Sequence, residues 1–283
     1  MDGCLNNRDR RVFMDMTQTV INCRKEKRKS VPIDRRDFWD GRAREFSDYA
    51  AQTGYPEEFI RILQPRIKWT VLDMACGGGT IAIPLAGKVK SITAVDFSQK
   101  MLDIVEWRCR ISGIDNVKTI HGRWEDDWND LEIGVYDVAI ASRSLIGNEI
   151  RDAVLKLNRA AREAVYISVP VGSGPFDQLL FESTGRKFNN APDYIDYYNK
   201  LYQMGIMANV AFITERHRNQ WKSHEEAFED QEWMFHEMTE LEKDKVRAYL
   251  RQHLVKVMGR WRLPYSRQCR WAVMWWTKDK QVK

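Results

Sequence analysis

The sequence predicts an α/β fold: a doubly wound, mainly parallel sheet of seven strands, helices on both faces, and a helical cap inserted between strands five and six. Three observations lead there. From Trp69 onward, short apolar runs alternate with amphipathic stretches, the rhythm of βαβ units whose strands are buried on both faces. A glycine-rich segment, Val71-Leu72-Asp73-Met74-Ala75-Cys76-Gly77-Gly78-Gly79-Thr80, stands where the first of these runs passes into a helix. The rhythm breaks after Pro170 and resumes only later in the chain. Right-handed crossovers then restrict the topology to a doubly wound sheet.

Residues 1–34 are polar and basic, with RKEKRK at Arg24–Lys29, and read as a flexible arm carrying a short helix around Phe13–Asn22. Residues 35–283 form the one folded domain. Asp37-Phe38-Trp39 opens a helix with Phe38, Ala43, Phe46 and Tyr49 among its apolar positions, and Glu57–Leu63 is a second. Strands are expected at Thr70–Met74, Ser91–Val95, Val117–His121, Tyr136–Ala141 and Val165–Val169. Helices are expected at Thr80–Ala86, Gln99–Ile111 and Glu149–Glu163. Gly172-Ser173-Gly174-Pro175 marks a loop or hinge that opens the insertion, residues 173–207. Asn209–Thr214 is the sixth strand, Ser223–Trp233 and Thr239–Leu254 are helices, and RWAVMWWT, Arg270–Thr277, is a late apolar strand.

A chain of 283 residues suffices for one large domain, and 11 Trp, 10 Tyr and 11 Phe supply both core and pocket walls. The net charge of +5 is mild and partly local to the arm, which either meets a polyanion such as nucleic acid or is simply solvated. Five cysteines at 4, 23, 76, 109 and 269 contain no CxxC, so neither a zinc site nor a disulfide framework is expected. The five histidines lack HExxH spacing; His121 ends a strand, and His217, His224, His236 and His253 read as surface residues. No signal peptide is seen, nor an apolar run of about 18 residues that could cross a membrane. A cytoplasmic enzyme with reduced thiols and no metal is expected.

The chemistry concentrates at three strand ends. Glycines permit positive φ and let a ligand touch the backbone, and the helix behind them aims free N–H groups at it. Gly77-Gly78-Gly79-Thr80-Ile81-Ala82 also satisfies the GxGxxA dinucleotide pattern, so the glycines do not choose between cofactors. Asp73 does. A carboxylate at this strand end repels a pyrophosphate and favours a cation, such as the ammonium and sulfonium of S-adenosylmethionine (SAM). Asp96, 19 positions after Gly77, ends the second strand and can accept ribose hydroxyls or cap the next helix, a task Ser98 can also perform. Met101 either touches adenine or packs in the helix core. After strand three comes His121-Gly122-Arg123-Trp124-Glu125-Asp126. There the Trp124 indole can stack on adenine and Glu125 can hold its amine; alternatively Trp124 is buried beside a solvated acidic turn.

In this order and spacing VLDMACGGGT, AVDFSQKML and NVKTIHGRWED resemble motifs I, II and III of class I SAM-dependent methyltransferases, over about Trp39 to Val169. The resemblance implies SAM as cofactor, held by Asp73, Ala75, Cys76, Gly77, Gly79, Asp96, Phe97, Met101, Trp124, Glu125 and Ser142. It also implies an antiparallel last strand, which RWAVMWWT suits, and it likens FWDGRA to an N-terminal helix that closes over SAM. Two positions depart from the pattern: Ala75 replaces the first motif glycine, and Arg123 stands where Asp is usual, shifting the adenine contact to Trp124 and Glu125. GRWED is also similar to the GxWE turn of fatty-acid cyclopropane synthases, with little else in support.

Strand four ends in Ala141-Ser142-Arg143-Ser144-Leu145, at the edge that faces the transferred methyl in the family. It lacks (D/N)PP(Y/F), and no Pro-Cys marks a 5-methylcytosine enzyme, which disfavours nucleic-acid bases as acceptors. Arg143 is a candidate clamp for a carboxylate or phosphate, or a structural ion pair. Tyr194, Tyr198, Leu201 and Tyr202 lie near one helix face of the insertion, with Asn189, Asn190 and Asn199 adding polar groups; Tyr198 is the second catalytic candidate, unless these aromatics pack on the sheet edge. A small-molecule acceptor under a lid is expected. The alternatives are an RNA or protein methyltransferase recruiting through the basic residues of 9–29, and a nucleotide-binding or NAD-dependent protein.

Overall fold

The computed structural model describes residues 36–51, 53–145, 150–188, 192–217, 219–235 and 237–278. Two compact units divide the chain, Met1–Phe38 and Trp39–Lys283, and of the first only the opening residues of a helix are described. The arm of residues 1–34, its helix at Phe13–Asn22, Asn189, Asn190 and His236 lie outside the described residues.

The chain runs α1 (Arg36–Ala51), α2 (Tyr55–Leu63), β1 (Thr70–Met74), α3 (Ala82–Leu85), β2 (Ser91–Asp96), α4 (Gln99–Ser112), β3 (Val117–His121), β4 (Tyr136–Ser142), α5 (Ile150–Ala160) and β5 (Ala161–Val171). Then follow α6 (Gln178–Glu182), α7 (Tyr194–Gln203), β6 (Asn209–His217), α8 (His224–Gln231), α9 (Glu240–His253), β7 (Val255–Val257), β8 (Arg260–Arg262) and β9 (Arg267–Thr277). The main sheet has seven strands in the order β3-β2-β1-β4-β5-β9-β6. Its first five are parallel, and β9 is antiparallel to both β5 and β6. The doubly wound sheet is therefore as the sequence predicts, and the antiparallel RWAVMWWT strand as the resemblance implies.

Each face of the sheet carries its own core. On one, Val71, Ile140, Tyr166 and Val273 meet α2, α3 and α4 through Phe59, Leu63, Leu85, Leu102 and Val105. On the other, Leu72, Ala139, Val165 and Met274 meet α5 and α7 through Val154, Leu157, Tyr197 and Leu201. Fully buried aromatics such as Trp276, Tyr55 and Tyr197 each contribute about 1.5–3 kcal/mol of hydrophobic stabilisation.

Local sequence explains most element ends. Ser98 caps α4 by accepting from the Met101 N–H, and Gly113, with φ 63°, ends that helix. The helix expected to start over Thr80–Ala86 is short: it spans Ala82–Leu85, and a 3₁₀ turn, Ala86–Lys88, takes over. The expected helix Glu149–Glu163 stops at Ala160. Ala161 already pairs with Tyr136 in the sheet, and strand pairing there overrides a helical pattern.

The stretch 173–207 has two fates. Tyr194–Gln203 lies on the sheet as the crossover helix from β5, with Tyr197 and Leu201 buried. Tyr202, placed with them by sequence spacing, is 65% exposed. The earlier part, with Phe176, Leu180 and Phe181, joins a third core with Trp221, Phe228, Phe235, Val246, Leu250 and Leu254. That cap therefore also draws on residues between β6 and β9. Arg186 fastens it with hydrogen bonds of 2.6 and 2.8 Å to both oxygens of Glu242, whose carboxyl is held down to about 2. Its β7–β8 ribbon turns at Met258 and Gly259, both at positive φ.

Candidate functional site

The glycine loop follows β1 at the carboxyl edge of the parallel strands, where ligands bind in open α/β sheets. Ala75, Gly77 and Gly79 adopt φ of 57°, 54° and 79°. An L-residue in this region carries about 1–2 kcal/mol of strain, so Ala75 costs what glycine would not. Ala75→Gly is expected to raise stability by about 0.5–1 kcal/mol after the entropy of a more flexible unfolded chain is deducted. Equilibrium urea unfolding measures this, and an unchanged or lower midpoint contradicts it.

Gly78 answers a different need. A Cβ here would lie 2.0 Å from Ser47 Oγ and 2.6 Å from Ser47 Cβ. Ser47 sits on α1 with no exposed surface, so that helix lies directly against the loop. Arg108 braces the contact, donating to Gly78 O at 2.9 Å and to Asp48 Oδ1 at 3.1 Å. The Ser98 hydroxyl donates to Asp40 of the same helix.

Asp73 is 1% exposed, and burial together with the neighbouring Asp96 pushes its carboxyl up to about 7. The Ala82 N–H donates to it, while Oδ2 has no partner among the described residues. Asp96 is also buried. Its Oδ2 accepts from Gly77 N at 2.8 Å and its Oδ1 from Ser98 N at 3.0 Å. Burial raises its carboxyl and these N–H donors oppose the rise. Ser98, not Asp96, provides the side-chain cap of α4, so Asp96 ties the loop to the end of β2 and keeps lone pairs for a ligand.

The remaining expected cofactor residues divide. Phe97 is half-buried under the Arg123 guanidinium, 6.0 Å from the ring centroid, and its carbonyl meets His121 Nε2 at 2.9 Å. Met101 is buried, with its sulfur 3.6 Å from Ser47 Oγ. Trp124 packs 5.8 Å from Trp128 with its Nε1 buried and without a partner among the described residues, while Glu125 is exposed. Lys156 pins this turn by donating to Trp124 O and Asp126 O. Cys76 is a buried thiol held well above its ordinary range, a packing residue rather than a nucleophile.

A second polar group lies at the ends of β4, β5, β6 and β9. Tyr55, with no exposed surface, bridges the hydroxyls of Ser142 at 2.8 Å and Ser168 at 2.5 Å. Burial raises its phenol further, so it stays protonated. Arg143, at φ 57°, packs its guanidinium 4.2 Å from the Tyr55 ring centroid and 5.6 Å from that of Trp271. Its Nη1 is 3.9 Å from Glu215 Oε2, which accepts from Trp271 Nε1 at 2.6 Å. Ser142 thus joins this cluster through Tyr55, while the parallel register of β1 and β4, Asp73 beside Ile140, runs its strand end alongside the glycine loop. Tyr198 is half-buried against the second core.

Sequence reasoning missed Tyr55, Ser168, Glu215 and Trp271, and also Ser47. Glu215 alone left a trace, a lone carboxylate in the largely apolar run Asn209–Thr214 and its continuation. Among the described residues no cluster of three or more His, Cys, Asp or Glu could hold a metal ion, and no helix is long and apolar enough to cross a membrane.

Comparison with known proteins bears on this geometry. A family model described as a methyltransferase domain matches residues 71–164. A protein of Haemophilus influenzae, described only as uncharacterized, is 31% identical over 246 residues, covering 86% of this chain and 89% of its own. UbiE of Zymomonas mobilis, a ubiquinone/menaquinone biosynthesis C-methyltransferase, is 28% identical over 97 residues, covering 32% of this chain and 38% of its own. Among solved structures, one from Bacillus halodurans C-125, described as a methyltransferase candidate, superposes with a TM-score of 0.54 at 17% identity, covering 79% of this chain and 98% of its own.

Proposed function

This chain belongs to the class I SAM-dependent methyltransferases, and on that premise we propose that it methylates a small molecule enclosed at the ends of β4, β5, β6 and β9. SAM is the cofactor, and supplies an activated methyl on a sulfonium. The chain's own residues have to hold it, orient the acceptor and exclude water.

The residues of the loop fit such a group. Asp73 Oδ2 is a buried acceptor without a partner, and an unpaired buried carboxylate is costly unless a cation or donor meets it. An ammonium would meet that need; a pyrophosphate would aggravate it. Asp96 at the next strand end has the lone pairs to accept hydroxyl donors. The NAD-dependent alternative loses ground on this charge.

The sign of the pH dependence follows. Asp73 holds its proton more tightly in the fold, at about 7, than in the unfolded chain, near 3.9. Stability without ligand is thus expected to fall as pH rises from about 4 to about 7. A cation beside Asp73 favours the ionised form, so SAM affinity should rise with pH over the same window. It should fall again only as an α-amino group titrates, at about 7.7–8.0. Calorimetry in buffers of different ionisation enthalpy reads the proton release directly. Binding that is pH-independent between 5 and 7 would remove Asp73 from the cofactor site.

The observation that carries the small-molecule reading is the Tyr55–Ser142–Arg143–Ser168–Glu215 cluster, in which Tyr55, Ser168 and Glu215 are buried and Ser142 and Arg143 partly buried. Groups so largely enclosed favour an acceptor that enters whole over one that docks along a surface. Methyl-labelled SAM, incubated with separate small-molecule, RNA and protein fractions of a cell extract, tests it. Label is expected in the small-molecule fraction, and is expected to persist when residues 1–34 are deleted. Label confined to RNA or protein overturns the reading.

A further inference from the structure

We infer that Arg143 and Glu215 form a dipolar recognition pair for the acceptor, which is an amphoteric small molecule of amino-acid type. An anionic oxygen of that molecule meets Arg143, and its N–H donor meets Oε1 of Glu215. This rests on the reading above that the acceptor is a small molecule.

Glu215 is a buried carboxylate on β6, opposite Cys269 of β9 and beside Trp271. One oxygen accepts the Trp271 indole N–H; the other, Oε1, is buried with no partner among the described residues. Arg143 stands 3.9 Å from the occupied oxygen, beyond hydrogen-bond distance. Its guanidinium forms no hydrogen bond among the described residues and packs instead against two aromatic rings that meet edge to face. A buried ion pair kept only for packing should close into a bidentate bridge, since every desolvated donor or lone pair left open is a penalty. This pair is open at both ends. Its side chains are fixed by Tyr55 and Trp271, so they cannot relax toward each other without giving up those contacts.

The chemistry of the occupant follows from the pair. A simple carboxylate would satisfy Arg143 and leave Glu215 facing nothing. A simple amine would do the reverse and place two cations together. A molecule carrying both groups satisfies both and brings no net charge into a poorly hydrated site. Sites of this kind reject analogues that lack one group, because a buried polar partner is then stranded. The backbone adds a second observation. Arg143 is a non-glycine residue at φ 57°, pinned there because its N–H donates to both the hydroxyl and the carbonyl of Ser168. Strain of this sort collects at ligand clamps.

The test is calorimetry on the full chain saturated with S-adenosylhomocysteine, titrated with the protein α-amino acids. Each that binds is compared with the carboxylic acid and the amine sharing its side chain. At least one amino acid is expected to bind, with both single-charge partners at least tenfold weaker. Glu215→Gln preserves shape and the Trp271 hydrogen bond, and should lower amino-acid affinity at least tenfold while leaving S-adenosylhomocysteine affinity within about twofold. Arg143→Met should do the same, with equal melting temperatures confirming folding. Binding of no amino acid, or equal binding by wild type and both variants, overturns the inference. So does a loss of S-adenosylhomocysteine affinity in Glu215→Gln as large as that in Asp73→Asn, which would assign the pair to the cofactor. These failures can all occur while label still enters the small-molecule fraction, so they are separable from failure of the functional reading itself.

Discussion

Asp96→Ala is expected to weaken SAM binding by about 2–4 kcal/mol, roughly 30- to 1000-fold, in a protein that still folds. Two losses combine. Charge-assisted hydrogen bonds to a ligand are worth about 1.5–3 kcal/mol, and the carboxylate would contribute one or two of them. The free protein also loses the tie that holds the loop, because Gly77 N and Ser98 N both donate to Asp96. Without that acceptor Gly77 is no longer held to the end of β2, and binding must order it again. Asp96→Asn separates the two. It keeps one acceptor oxygen and should recover part of the loop contact but little of the charge. Calorimetry with SAM measures both variants; an unchanged affinity for Asp96→Ala would leave Asp96 as a loop brace alone.

Gly78→Ala is expected to disrupt the same site from the other side. The new methyl would fall 2.0 Å from Ser47 Oγ and 2.6 Å from Ser47 Cβ, distances that real side chains do not tolerate. Either α1 lifts or the loop shifts, at about 1–3 kcal/mol of stability and with weakened SAM binding in either case. Because Ser47 supplies the clash, Ser47→Gly in the same chain should restore most of what Gly78→Ala removes. A glycine within a helix costs about 0.5–1 kcal/mol, which bounds the recovery. The double-mutant cycle on unfolding free energy should therefore show strong positive coupling. Strict additivity would mean that α1 does not press on the loop.

The parallel strands and the glycine loop were legible because their signals are local. A buried strand is a short apolar run, and Asp73 and Asp96 announce themselves as carboxylates at the ends of two such runs. Their different tasks were less legible. That Ser98 caps α4, freeing Asp96 for the loop, depends on which of two adjacent side chains reaches the Met101 N–H. The β7–β8 ribbon escaped notice for a conformational reason. Its turn puts Met258 at φ 49° before Gly259, a position that sequence patterns reserve for Asn or Asp. The Tyr55 cluster escaped because it is assembled from α2, β4, β5, β6 and β9, with members up to 216 positions apart, from Tyr55 to Trp271. No periodicity connects such residues; only the fold does.

The insertion of β9 between β5 and β6 has a consequence for how the molecule comes into being. During synthesis, all the other strands of the main sheet emerge before Arg267–Thr277. Until that strand arrives, β5 and β6 have no partner between them, and each presents unpaired N–H and C=O groups of the kind that recruit foreign strands. The glycine loop with Asp73 and Asp96 can form from β1, β2 and the elements before them, whereas Trp271, which fixes both Glu215 and Arg143, is delivered after every other strand of the main sheet. A nascent chain could thus assemble the glycine loop while the proposed acceptor cluster is still open. On the proposed reading, competence to choose a substrate is acquired in the same step that closes the sheet against aggregation.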